Sequence, residues 1–222
     1  MNKKTLSIIA ILVVIVIVIV VFFGGKKDTA VNDINNQLSG VKKVSLENGN
    51  YNVSTDRTTV FWEGKKTLIE GYKDEGTINV KQGNIIVEAG EITGGKIVID
   101  MDSIVAVKTG IGSNMENLTR HLKSKDFFDV AKYPVSTFEL KLDSVEDGHY
   151  LAGNLEIKDK KEEISFPVSL SMENGELKIK GVAILNRTKW GIIYGSGSFF
   201  DNLKNNVIDD NFTVAFDLVA SK

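Results

Sequence analysis

The sequence predicts an all-β domain built from antiparallel hairpins and carried behind a single apolar N-terminal helix. Three observations lead there. From Tyr51 onward apolar residues recur with period two, the pattern of strands buried on one face. Asn-Gly, Asp-Gly and Gly-Gly pairs interrupt those runs, and such pairs accept the positive φ that tight hairpin turns demand. Leu6 to Phe23, finally, is apolar throughout except for Ser7, unlike anything that follows it.

As a helix the Leu6–Phe23 run would extend roughly 27 Å, close to a bilayer core of about 30 Å. Lys3 and Lys4 precede it, as in a secretory signal. Signal h-regions, however, are typically ~7–15 residues, and no small-residue cleavage site follows Phe23. The segment is therefore expected to be an uncleaved transmembrane anchor. The amino terminus with Lys3 and Lys4 outweighs Lys26 and Lys27, so the short N-terminus belongs in the cytoplasm and the body outside it. Residues 1–27 are read as the anchor with its basic flanks, 28–48 as a linker and 49–222 as the folded domain. Val31, Ile34 and Leu38 fall at helical spacing within the linker, but three apolar residues among amides bury little.

Within the domain, Ile97, Ile99 and Met101 alternate with Lys96, Val98 and Asp100. Phe138, Leu140 and Leu142 alternate with Glu139, Lys141 and Asp143, and Ile164, Phe166, Val168, Leu170 and Met172 with small or polar residues. Phe212, Val214, Phe216 and Leu218 end the series. Turn signals stand at Gln82-Gly83-Asn84, Gly94-Gly95, Asp147-Gly148 and Asn174-Gly175. About eight to ten strands result, which suits a sandwich or an up-and-down barrel; alternation does not choose between them.

One segment breaks the period. Met115, Leu118 and Leu122 recur at i, i+3 and i+7 behind Ser113-Asn114, with Glu116 early and Arg120 and Lys123 late, so a short capped helix is expected. Phe127, Phe128 and Tyr133 follow in an irregular connection. These rings either pin that loop to the core or form a rim at one end of a cavity.

The composition excludes several classes of function. Among 222 residues, 27 Lys and Arg stand against 29 Asp and Glu, and four of the lysines flank the apolar run, so the body is acidic. Nucleic acid is thus not an expected partner. The absence of cysteine removes disulfides, thiolate metal sites and a cysteine nucleophile. The two histidines, His121 and His149, show no metal-ligand spacing. Gly110-Ile111-Gly112-Ser113 has Met115 where a dinucleotide loop needs its third glycine. Asp100, Asp102, Asp209 and Asp210 stand at strand ends, where Asp punctuates turns, and Ser196 lacks a nucleophile-elbow setting. No catalytic residue, metal site or cofactor is predicted. Arginine occurs only at positions 57, 120 and 187, and a guanidinium suits a planar acceptor; Arg187 either fixes its loop through a salt bridge or meets a ligand head group.

Several blocks together resemble the YceI-like family of lipid- and polyisoprenoid-binding domains. The longest is His121-Leu122-Lys123-Ser124-Lys125-Asp126-Phe127-Phe128-Asp129-Val130-Ala131-Lys132-Tyr133-Pro134, followed by Thr137-Phe138. Gly49-x-Tyr51-x-Val53, Val60-x-Trp62-x-Gly64, Asp100 to Ile104, Ile164-x-Phe166-Pro167-Val168, Asn186 to Ser196 and Ile208-x-Asp210-x-Phe212 agree in order. The last two are similar to a membrane-associated branch. Asp159 departs from the pattern, standing where many relatives have glycine.

The resemblance implies an extended, lipocalin-like, eight-stranded antiparallel barrel with a short helix near one end, enclosing an apolar tunnel for a long lipid chain. Eight strands leave room for one small ligand or for side chains alone. Trp62, Phe138, Leu140, Leu142, Phe166, Val168 and Leu170 are the expected tunnel wall, and Phe127, Phe128 and Tyr133 the entry rim. His121 and Arg187 are candidate head-group contacts. The expected function is non-catalytic binding of a long-chain isoprenoid or similar amphiphile at the outer face of the membrane. The alternatives are an envelope interaction module whose barrel is filled by its own side chains and, more weakly, an enzyme acting on a lipid.

The anchor makes a direct prediction. The full-length protein should stay with the membrane pellet under alkaline carbonate and retain its N-terminus on sequencing; a soluble form beginning near Gly24 or Lys26 would contradict it.

Overall fold

The computed structural model describes residues 46–145 and 148–222, and the expected anchor and most of the linker lie outside them. Nine strands follow in order: β1 (Gly49–Val53), β2 (Thr59–Lys65), β3 (Lys73–Glu88), β4 (Glu91–Lys108), β5 (Val135–Val145), β6 (Gly148–Ile157), β7 (Lys160–Glu173), β8 (Glu176–Asn186) and β9 (Asn211–Ser221). Every pairing between them is antiparallel.

From β2 to β9 each strand pairs with its successor, and β9 returns to pair with β2, which closes the sheet and decides for a barrel over a sandwich. β1 and β2 occupy a single position. β1 pairs with the Asn84–Val87 stretch of β3 and with Ala220 and Ser221, whereas β2 pairs with the Lys73–Ile78 stretch of β3 and with Thr213–Asp217. Nine segments thus fill eight positions.

One α-helix is present among the described residues, α1 (Met115–Lys123), with two short 3-10 turns, Arg187–Trp190 and Lys204–Asn206, in the β8–β9 connection. Asn114 caps it, its side chain accepting the Asn117 N–H at 3.0 Å. Leu122 is buried and Leu118 packs against the core, but Met115 is exposed. The β4–β5, β2–β3 and β8–β9 connections gather with α1 at one end of the barrel. The β3–β4 and β7–β8 hairpins and the start of β1 mark the other.

Two expected turns are not turns. Gln82-Gly83-Asn84 and Gly94-Gly95 lie inside β3 and β4, and the chain reverses at Ala89-Gly90, both with positive φ (52° and 79°). The internal glycines answer to close approach instead. A Cβ on Gly95 would stand 2.3 Å from the Asn84 carbonyl oxygen. Asn174-Gly175 does turn (φ 52° and 80°), while the Asp147-Gly148 signal falls at the edge of the described residues. Lys158 and Asp159 form a further two-residue turn with φ of 52° and 56°, conformations that glycine takes most easily and Asp tolerates.

Inside the barrel the two halves differ. Around the start of β1, Tyr51, Ile85, Val87, Leu177, Ile179 and Ala220 are all fully buried and fill the lumen. Toward α1 the inward residues Ile78, Ile99, Ile164, Val214 and Phe216 are only partly buried, because they border empty space.

Gly76 shows how tightly the wall is drawn at that level. A Cβ there would lie 2.0 Å from the Val105 carbonyl oxygen and 2.3 Å from Cζ2 of Trp62. Gly76→Ala should cost about 1–3 kcal/mol in a urea melt, whereas Gly64→Ala, with nothing within 4 Å of its Cβ, should stay within about 0.5 kcal/mol of the parent.

Candidate functional site

The empty half of the lumen is one continuous cavity of about 870 Å³ that opens at the α1 end. Strand alternation supplies its walls. On β2 Val60 and Trp62 face in, on β4 Ile97, Ile99 and Met101, and on β8 Ala183 and Leu185. Phe138, Phe166 and Phe216 cross the lumen as a chain of ring contacts, with centroids 5.8 Å and 5.7 Å apart. Phe216 fits because position 181 is glycine; a Cβ there would stand 2.7 Å from its ring. The Trp62 ring lies against Gly76 in the same manner, and its indole N–H is the one buried side-chain polar atom without a hydrogen-bond partner among the described residues.

Of the seven residues expected on the tunnel wall, Trp62, Phe138 and Phe166 line the cavity. Leu140, Val168 and Leu170 are buried, and Leu142 partly so, but all four lie outside the cavity, in the filled half. They have the inward phase and the wrong height. Phe127 and Phe128 do line the cavity. Tyr133 does not: it lies away from the opening, with the Lys132 ammonium 4.8 Å from its ring centroid. The segment carrying these rings is tied down by backbone bonds, including Phe128 N–H to Leu122 O and Asp129 N–H to Ser124 O, and the Lys158 ammonium donates to Phe127 O at 2.6 Å.

His121 borders the opening. Its ring packs edge-on against Phe127 and Tyr194 at 4.9 and 4.6 Å, and its Nε2 lies 3.2 Å from Asp126 Oδ2. Arg187 also borders the cavity but is almost fully buried, and its guanidinium is directed into its own loop. Nε–H donates to Asp209 O, Nη1 to Ile192 O and Tyr194 O, and Nη2 to Ile208 O and to Asp210 Oδ1 at 3.4 Å. All five N–H donors of a guanidinium are thereby engaged, leaving none for a head group. Burial draws the Arg187 pKa below the ordinary guanidinium value, against the opposing charges of Asp210 and Asp209. Burial would likewise raise Asp210, but hydrogen bonds from Ser196 and Ser198 and the charge of Arg187 outweigh it and hold the carboxyl low.

A polar group at the opening was not anticipated. Tyr72, Asp74 and Lys66 face one another beside Ser113, all bordering the cavity. The Lys66 ammonium sits 4.8 Å from the Tyr72 ring centroid, and Asp74 Oδ1 accepts the Gly110 N–H at 3.1 Å. Burial pushes the Asp74 carboxyl above its ordinary pKa, although the Gly110 and Tyr72 hydrogen bonds and the Lys66 charge resist. The signal for this cluster was parity: Tyr72 and Asp74 share the phase of Gly76, Ile78 and Val80. Among the described residues no three His, Asp or Glu side chains converge as a metal site would require.

A closed antiparallel barrel, filled at one end and holding an open apolar cavity at the other, defines a class of small β-barrels shaped around an internal chamber. Residues 51–220 match the model of the YceI-like domain, and the chain belongs to that family. BcnA from Burkholderia cenocepacia shares the fold at 21% identity and a TM-score of 0.59, over 76% of this chain and 99% of that one. A polyisoprenoid binding domain from Saccharophagus degradans, implicated in plant cell wall breakdown, does so at 15% identity and a TM-score of 0.56, over 77% of this chain and 97% of that one. No curated protein matches the sequence.

The raised pKa of Asp74 gives a pH prediction. A carboxyl that binds its proton more tightly when folded contributes stability at low pH that is lost as pH rises through the folded pKa. Asp74→Asn, which keeps an oxygen for Gly110 and removes the charge, should therefore melt higher than the parent at pH 7. The gap should close as pH falls toward the ordinary Asp value of 3.8; melting curves across that range test the sign.

Proposed function

We propose that the domain binds a long-chain isoprenoid or a similar amphiphilic lipid, tail inward, and does so without catalysis. The observation that carries this reading is the cavity itself: about 870 Å³, open at one end and walled by aliphatic and aromatic side chains. A tail entering it gains ~0.8 kcal/mol for each methylene removed from water, so affinity needs few polar contacts. Family membership supports the reading, as does the Saccharophagus degradans domain described as polyisoprenoid binding.

The tail would lie against Trp62, Phe138, Phe166 and Phe216, with Phe127, Phe128 and His121 along the entrance and the head group beside Lys66, Tyr72 and Asp74. The alternative of a barrel filled by its own side chains fits only the half around Tyr51. In the cell, the run from Leu6 to Phe23 would hold the domain at the outer face of the membrane.

Ala183 is a small residue on the cavity wall, so Ala183→Trp should occupy the space a tail needs. Native mass spectrometry of residues 28–222, combined with lipid extraction, should find a co-purifying lipid on the parent and at least tenfold less on a variant that still melts cooperatively. Equal lipid on both would count against this chamber as the binding site.

A further inference from the structure

Exposed apolar side chains are not spread evenly over this barrel. Leu68 on the β2–β3 connection, Ile111 and Met115 before and at the start of α1, and Tyr194, Phe199 and Phe200 on the β8–β9 connection are all exposed, Ile111 completely. In the filled half, Ile86 is the one large exposed hydrophobic among the described residues. The connections are joined to one another around the opening. Thr67 N–H donates to Val207 O, Asp209 N–H to Lys65 O, Gly110 N–H to Asp74, and His121 packs on Tyr194. Tyr194 and Phe200 belong both to this outer ring and to the cavity lining, so the apolar surface continues from the outside into the chamber.

We infer that this ring is a membrane-docking surface: the barrel lowers its open end into the headgroup region of a lipid bilayer, and the cavity then meets the acyl phase without intervening water. The inference rests on the proposed lipid ligand, which would otherwise have to cross water with its tail exposed at ~0.8 kcal/mol per methylene. A contiguous exposed apolar patch marks an interaction site, and continuity with an apolar cavity selects lipid as the occupant.

Charge says what kind of bilayer contact this is. At the open end Lys65 and Lys73 are held by Glu63 at 3.1 and 2.7 Å, Lys108 by Glu75 at 3.3 Å and Lys123 by Asp102 at 3.1 Å. With these four cations paired, and with the segments that form this end (63–75, 105–129 and 187–210) carrying ten Lys and Arg against ten Asp and Glu, attraction to anionic headgroups is weak, and insertion of the apolar ring is the driving force. Reach is sufficient. The chain enters the described structure at Leu46, beside Gly90 at the filled end, roughly 40 Å from the opening by strand length and tilt. Residues 24–45 span roughly 70 Å when extended, enough for an anchored domain to turn its open end to the membrane.

The chain has no cysteine, so one introduced at either end carries a unique label. The full-length chain bearing an environment-sensitive dye at Phe199→Cys or at Thr93→Cys is mixed or reconstituted with phosphatidylcholine vesicles containing doxyl-labelled lipid. Quenching at position 199 should exceed that at position 93 at least fivefold, and neither added phosphatidylglycerol nor 0.5 M salt, at roughly a 4 Å screening length, should change it. Leu68→Ser with Ile111→Ser, neither residue lining the cavity, should reduce the quenching and slow lipid uptake from vesicles at least fivefold without lowering the lipid finally bound. Equal quenching at both positions, or a chain that stays off the vesicles, overturns the docking surface. Normal lipid content in that same sample would show that the binding reading survives the loss; quenching confined to position 199 in a chain without lipid would show the reverse.

Discussion

The layer of rings formed by Phe138, Phe166 and Phe216 is the constraint on which the character of this barrel depends. Eight strand positions enclose a lumen that side chains can only just fill. On one side of the rings Tyr51, Ile85, Leu177 and Ile179 fill it. On the other the inward positions carry Val, Ile, Ala and Leu that reach the wall and stop short of the axis. The first arrangement supplies stability by burial at native density; the second forgoes some of that burial and leaves a chamber. Glycines at 76 and 181 let Trp62 and Phe216 lie against neighbouring strands, so large rings widen the apolar surface without closing the space.

Arg187 has the corresponding role at the opening. The β8–β9 connection runs from residue 187 to 210, far longer than the connections usual in a compact domain. One buried guanidinium gathers carbonyls from residues 192, 194, 208 and 209 and a carboxylate from Asp210. That holds Tyr194 against His121 and sets one side of the entrance. A residue with this many charge-assisted bonds is a fastening for the loop, and its position on the cavity border should not be mistaken for ligand contact.

The sequence disclosed phase far better than height. Period two correctly turned Phe138, Leu140, Phe166, Val168 and Leu170 toward the lumen, yet nothing in alternation says how far along a tilted strand the chamber begins, and Leu140, Val168 and Leu170 fell below it. Alternation was equally silent on barrel closure, which depends on β9 meeting β2 across most of the chain; the barrel was legible only through the resemblance of motif blocks such as His121–Pro134. Gly83 and the Gly94-Gly95 pair read as turns because close approach inside long bent strands selects the same residue. Asp74 was passed over because an acidic residue among Lys73 and Glu75 looks like a solvated edge until its parity with Ile78 and Val80 is counted. The rarity of arginine singled out Arg187, but its partners are mostly carbonyls, which carry no sequence signal.

The seam of the barrel has a consequence for how the protein is made. β1 and β2 come first in the domain, and the strand they require, β9, comes last. Until residues 211–221 have been synthesised, every earlier strand can pair in order while the sheet stays open along one side, with the edge of β2 and the apolar lumen presented to whatever is nearby. Such long-range closure is slow compared with local pairing, and the exposed intermediate invites misassembly. A nascent chain therefore has a window, lasting until residues 211–221 have emerged, in which protection by a chaperone would decide its yield.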